Sequence, residues 1–301
     1  KTHFPNQFFA ASMTMDISNQ SKLSEFYEEL KRLNIKIIRP DINECFADFI
    51  SDENFFYYAL GSIKSVGYDA ISNIVKERLK NGKFKSINDF ISRVNPKDIN
   101  KLQLEGLVKA GAFDNINENR QSLYNSIPNL IKKSKNIYEN KIANQIDLFN
   151  DNEIEEKTDN NLLPKIKDWD FELRLSKEFE AMGFFISDHP INKYKEIFED
   201  FKIVNYKNFF SETKMSQCNI AATLLKMHER KTSKGNSYAV LKLTDLSSVF
   251  ELFVFSETLN LSRDILIEGN SLLISLNKSL KDDENRFKRI NILKINLIKD
   301  I

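Results

Sequence analysis

Up to about Met215, apolar residues recur every three to four positions along this chain; beyond it they recur at every second position. The first period predicts helices. Phe8, Phe9, Ala11 and Met13 belong to one helix, and Leu23, Phe26, Tyr27, Leu30 and Leu33 to a second, with Ser18 as the expected N-cap. Ile35–Ile38 predicts a short strand stopped by Arg39-Pro40, and two apolar stretches around Asp52-Glu53-Asn54 predict a hairpin within residues 46–60. Further helices are expected over 68–80, from a Ser86 capping box to Val94, over 98–109 and from about Asn119 onward. Residues 139–168, rich in Asn, Asp, Glu and Lys, predict a linker with little fixed structure, followed by helices near 170–182 and 191–200.

The second period predicts strands over Asn219–Lys226, Tyr238–Leu243, Phe250–Phe255, Leu272–Leu276 and Ile290–Ile295, with a helical stretch (257–267) between the third and fourth. That order describes a small OB-type barrel. The expected fold class is therefore multidomain α + β: a mainly α helix-hairpin-helix region followed by a five-stranded OB-type β-barrel. The expected divisions are 1–59 (helices plus small strands), 60–141 (tandem helix-hairpin-helix), 142–168 (linker), 169–212 (helical connector) and 213–301 (barrel).

Composition narrows the class. The 301 residues are 41% hydrophobic and 29% charged, ordinary for a soluble globular protein, and no run approaches the roughly 20 apolar residues of a membrane span. A cytoplasmic setting is expected. Cys45 and Cys218 are too scattered for a disulfide framework, and His3, His189 and His228 show no metal-ligand spacing with either, so no metal is expected. The opening Lys1-Thr2-His3-Phe4-Pro5 predicts a piece of something longer. The net charge of +1 conceals segregation: residues 60–141 carry 15 Lys and Arg against 8 Asp and Glu, residues 151–200 carry 7 against 14, and residues 202–301 carry 16 against 11. Two basic blocks around an acidic one suggest two polyanion-facing modules joined by a segment that avoids the polyanion.

Three constellations carry candidate chemistry. Leu60 to Ile71 predicts a helix, a tight hairpin (Ile63, Lys64, Ser65, Val66, Gly67) and a second helix, which would aim backbone N–H groups at a phosphate, with Lys64 adding charge. Such hairpins usually carry glycine on both sides of the apolar residue; here the first is Ser65. Lys109, Gly111 and Ala112 form a degenerate partner unit, in which Gly111 alone reads more readily as a helix C-cap. Gln145-Ile146-Asp147-Leu148-Phe149 places an apolar pair in the polar linker, as in an extended peptide that docks in a partner's pocket; the alternative is packing back on the preceding long helix. On the barrel, Lys226, Arg230, Lys231, Lys234, Tyr238 and Lys242 are candidate single-strand contacts, whereas Phe253 and Phe255 fit a core role better. Asp168-Trp169-Asp170 is read as a helix start rather than a metal clamp, and Asp282-Asp283-Glu284 as a turn. No catalytic set is visible.

In this order the motifs resemble the bacterial DNA polymerase III alpha-subunit family. His3-Phe4-Pro5 with Phe8 to Ala11 resembles its late fingers region, and Ile38 to Asn43 its strand turn. Leu60–Ala70 and Leu107–Asp114 resemble its tandem helix-hairpin-helix module, Gln145–Phe149 its internal clamp-binding motif, and Glu178–Phe184 with Ser187–Pro190 the segment before its OB domain. The resemblance implies a parent DNA-directed DNA polymerase, a nucleotidyltransferase working with Mg²⁺ held by palm-domain aspartates N-terminal to Lys1. It further implies no catalytic residue or cofactor in this stretch. Implied partners are duplex DNA, single-stranded template, the sliding clamp and other replicase subunits, with no membrane. Rival readings are a helix-hairpin-helix plus OB fragment of a DNA repair enzyme, an RNA-binding OB adaptor, and an interaction scaffold.

Overall fold

The computed structural model describes residues 4–142, 163–212, 215–233, 235–279 and 289–301. They form two compact units, Lys1–Ser187 and Asp188–Ile301. In the first unit α1 (Pro5–Met15) and α2 (Gln20–Arg32) lead into a three-stranded sheet of β1 (Ile37–Ile38), β3 (Phe56–Tyr57) and β2 (Ile50–Ser51), in that spatial order. The cap of α2 is Asn19 rather than Ser18: its side chain accepts the Lys22 N–H at 3.2 Å. The β2–β3 turn is tied by Asp52, whose carboxylate accepts the N–H groups of Asn54 and Phe55.

Helix α3 (Tyr68–Asn81), α4 (Ile87–Arg93), α5 (Lys101–Lys109), α6 (Arg120–Ile142) and α7 (Phe171–Met182) complete this unit. Ser86 caps α4 by accepting the Asp89 N–H, and Asp170 caps α7 by accepting the Leu173 N–H. One continuous core runs from Phe9 of α1 through Leu60, Phe90 and Leu107 to Ile186, so residues on both sides of the expected linker share it. Residues 164–168 lie along the start of α6. There the Ile166 and Pro164 carbonyls accept from Asn119 Nδ2 (2.6 Å) and Ser122 Oγ (2.7 Å), so fixed structure resumes before the expected end of the linker.

The second unit begins with a short 3-10 stretch over Pro190–Ile197, where the periodicity predicted a helix. Tyr194 leaves helical geometry there, and Ile191 alone is fully buried, packing with Ala221 and Ile298. Helix α8 (Tyr206–Ser211), unforeseen in the sequence, precedes the sheet. The five antiparallel strands are β4 (Gln217–Lys231), β5 (Ser237–Thr244), β6 (Val249–Phe255), β7 (Ser271–Ser279) and β8 (Arg289–Leu297), with α9 (Ser256–Ser262) between β6 and β7. Their spatial order, β6-β5-β4-β7-β8, is that of an OB-type fold. The long strand β4 serves both halves: residues 217–223 pair with β7 and 223–231 with β5, the register shifting at Leu224/Lys226. Among the described residues no ladder joins β6 to β8, so the sheet is not closed; α9 packs on both edge strands.

Strand β7 is also tied to α8. Lys278, almost wholly buried, donates from Nζ to the carbonyls of Phe209 (2.6 Å) and Glu212 (2.6 Å) and lies over the Phe209 ring. Tyr206 stacks face to face on Phe250 of β6, centroids 3.8 Å apart.

Candidate nucleic-acid interface

A 3-10 turn over Leu60–Ser62 delivers the chain into the first hairpin. Ile63 and Val66 are buried and anchor it, while Lys64, Ser65 and Gly67 face solvent. The turn closes through the Val66 N–H, which donates to the Ile63 carbonyl at 3.1 Å, and it requires Ser65 to take φ +64°. In that left-handed region a side chain costs about 1 kcal/mol relative to glycine. Gly67 is the N-cap of α3 and has no side chain to cover the helix's first amides. The positive end of α3 therefore faces solvent three residues after Lys64, the arrangement that receives an anion. Asp69, in the first turn of α3, adds an opposing charge, and the Tyr68 hydroxyl is held by Asp48 at 2.6 Å.

The second unit of the pair is built differently. Helix α5 ends at Ala110, and Gly111 takes φ +80°. The Gly111 N–H donates to Val108 and the Ala112 N–H to Leu107, the two bonds of a Schellman motif. Both residues are buried, and the Lys109 ammonium pairs with Glu180 at 3.0 Å. Burial works against the Lys109 charge, but the Glu180 carboxylate outweighs it and the pKa is raised. Here the C-cap role accounts for the glycine, and none of the three residues presents an uncommitted backbone N–H or a fully exposed cation.

Behind this turn lies an ionic network. Arg120, 4% exposed, donates from Nε and Nη2 to the two oxygens of Asp114 (2.8 and 2.6 Å) and from Nη1 to the Lys109 carbonyl (3.0 Å). Arg174 of α7 bridges Asp114 and Asp168, each at 2.9 Å. Glu178 of α7 is completely buried. Its Oε1 accepts the N–H groups of Ile186 and Ser187, and its Oε2 stands 3.9 Å from Arg120. Asp168 and Asp170 are thus committed to an ion pair and a helix cap.

In the second unit, Lys226, Arg230 and Lys231 are exposed, while Lys234 lies outside the described residues. Lys242 is only 7% exposed, seated between cross-strand neighbours Lys226 and Glu251, which removes it from a readily accessible surface. The two phenylalanines assigned to the core face outward instead: Phe253 is 48% and Phe255 43% exposed. Both pack beside Tyr238, with ring centroids 6.4 and 6.5 Å away. Cross-strand rows Arg230–Tyr238–Phe255 and His228–Val240–Phe253 make one aromatic and basic face. A signal for this existed. Glu251 shares parity with Phe253 and Phe255, and a strand cannot turn that carboxylate to water without turning both rings with it.

The pentapeptide Gln145–Phe149 lies outside the described residues, beginning three positions after α6 ends at Ile142. The turn at Asp282-Asp283-Glu284 lies outside them as well. Among the described residues no group of three or more His, Cys, Asp or Glu could hold a metal ion, and no helix is long and apolar enough to cross a membrane.

Comparison with known proteins agrees with this geometry. A family model described as a helix-hairpin-helix motif matches residues 34–123, which include both hairpins. DNA polymerase III subunit alpha of Borreliella burgdorferi is 32% identical over 272 residues, covering 90% of this chain and 24% of the relative. The same subunit of Caulobacter vibrioides is 29% identical over 95% of the chain and 25% of its own length. That of Buchnera aphidicola subsp. Schizaphis graminum is 30% identical over all of the chain and 26% of its own length. Aligned along nine-tenths or more of its residues with one kind of protein, the chain belongs to the DNA polymerase III alpha-subunit family and spans about a quarter of the length of those relatives.

Proposed function

We propose that this stretch of the subunit holds DNA for a replicative polymerase and tethers it to the sliding clamp, without supplying the polymerase active site. The observation that carries the DNA-holding part is the exposed, uncapped start of α3 beside Lys64, in a chain related to DNA polymerase III alpha subunits. A duplex phosphate fits there, bound by the helix amides and the lysine without reading sequence. The outward face of β5 and β6, with Tyr238, Phe253, Phe255 and the nearby Arg230 and Lys231, suits single-stranded template: rings stack on bases and cations follow the backbone. Gln145, Ile146, Asp147, Leu148 and Phe149 supply the clamp contact, Leu148 and Phe149 as anchors. The Mg²⁺-dependent chemistry, the other replicase subunits and a cytoplasmic setting belong to the same proposal.

Two measurements test it. Lys64→Ala is expected to weaken duplex binding to a similar degree on unrelated sequences and to make the salt dependence shallower by about 0.9 in log–log slope. A loss confined to particular sequences would point to base readout instead. For the clamp, Leu148→Ala with Phe149→Ala is expected to weaken binding to the cognate ring at least about thirtyfold, the loss of an anchor worth ~2 kcal/mol. Unchanged affinity would remove that motif from the proposal.

A further inference from the structure

The first hairpin lacks glycine at its left-handed position, so its shape must be held from outside. Three distant segments do this. From α2, Gln20 Nε2 donates to the Ser62 carbonyl at 2.8 Å. From α7, the Ala181 carbonyl accepts the Lys64 N–H at 3.0 Å. From α5, Gly106 approaches so closely that a Cβ there would stand 2.8 Å from the Lys64 carbonyl oxygen and 3.1 Å from Val66 Cγ2. The peptide planes on both sides of Ile63 are therefore fixed before the chain enters φ +64° at Ser65. Of the three contacts, only the one from α2 is made by a side chain.

Gln20 is itself held in place by α7. Gly183, the left-handed residue that ends that helix, would bring a Cβ to 3.0 Å from Gln20 Cβ. The Gln20 Oε1 is buried with no hydrogen-bond partner among the described residues. An amide that leaves its own oxygen unsatisfied while its nitrogen holds a carbonyl is poor economy for stability alone. We propose that Gln20 is a positioning residue for the phosphate-binding hairpin, acting through the Ser62 carbonyl to aim Lys64 and the start of α3. This rests on reading the hairpin as the duplex site. It also makes α2 and α7 working parts of that site, although both lie outside the expected tandem unit of residues 60–141.

The test is a double-mutant cycle in the whole chain, read as duplex affinity against salt concentration, with thermal melting alongside. Gln20→Ala, which removes no charge, is expected to weaken duplex binding roughly fivefold, and in the Lys64→Ala background to add almost nothing. Gln20→Met keeps the side-chain length against Gly183 while removing the donor; it should reproduce the loss if the alanine variant folds poorly. Unchanged affinity in the folded glutamine variants, or a loss that adds in full to that of Lys64→Ala, would overturn the positioning role. If Lys64→Ala alone leaves affinity intact, the hairpin reading itself fails and the positioning role with it.

Discussion

Gly111→Ala is expected to lower the melting temperature of the first unit by about 10 °C, without moving the transition of the second. Two causes act together. At φ +80° any side chain costs about 1–2 kcal/mol. A Cβ would also overlap Arg120 Nη2 and stand 2.7 Å from its Cζ, and the guanidinium has nowhere to retreat without releasing Asp114 or the Lys109 carbonyl. A total near 4 kcal/mol in a unit of this size corresponds to a shift of that order. Calorimetry of the whole chain reads it directly, with a separate transition expected for each of the two units. A shift below about 2 °C would mean that the arginine is not wedged behind the turn as described.

Arg120→Met is expected to cost about 3–5 kcal/mol, because it leaves a buried carboxylate without its counter-charge. Asp114 keeps a partner in Arg174 at 2.9 Å. Glu178 does not: its Oε2 has no hydrogen bond among the described residues, and the Arg120 guanidinium stands 3.9 Å from it. Adding Glu178→Gln, which still offers an acceptor to the Ile186 and Ser187 N–H groups, should recover at least half of the loss. No recovery in the double variant, measured by urea unfolding, would locate the damage at Asp114 instead.

What the sequence disclosed, and what it concealed, divides along local against distant causes. Ser86 and Asp170 cap their helices through bonds to residues three positions on, and such short-range chemistry is readable from spacing. The five strands were readable from parity, as was the helix between the third and fourth. Parity alone also contained the outward placement of Phe253 and Phe255; a rule that large apolar residues lie inside obscured it. Lys242 shows the converse, since its outward parity says nothing of the neighbours that cover it. Residues 191–200 carry helical spacing but bury little beyond Ile191, so a 3-10 stretch forms instead. The bonds from Gln20 to Ser62 and from Lys64 to Ala181 join residues 42 and 117 positions apart, with no trace in any local pattern.

The tie between Lys278 and α8 decides where the sheet can be cut free. Severed at residue 213, as strand periodicity invites, it would lose the carbonyls that solvate a buried ammonium and the Tyr206 ring that covers Phe250. A transplant of this sheet into another protein has to bring the Tyr206–Glu212 turn with it, or exchange Lys278 for an apolar side chain of similar length.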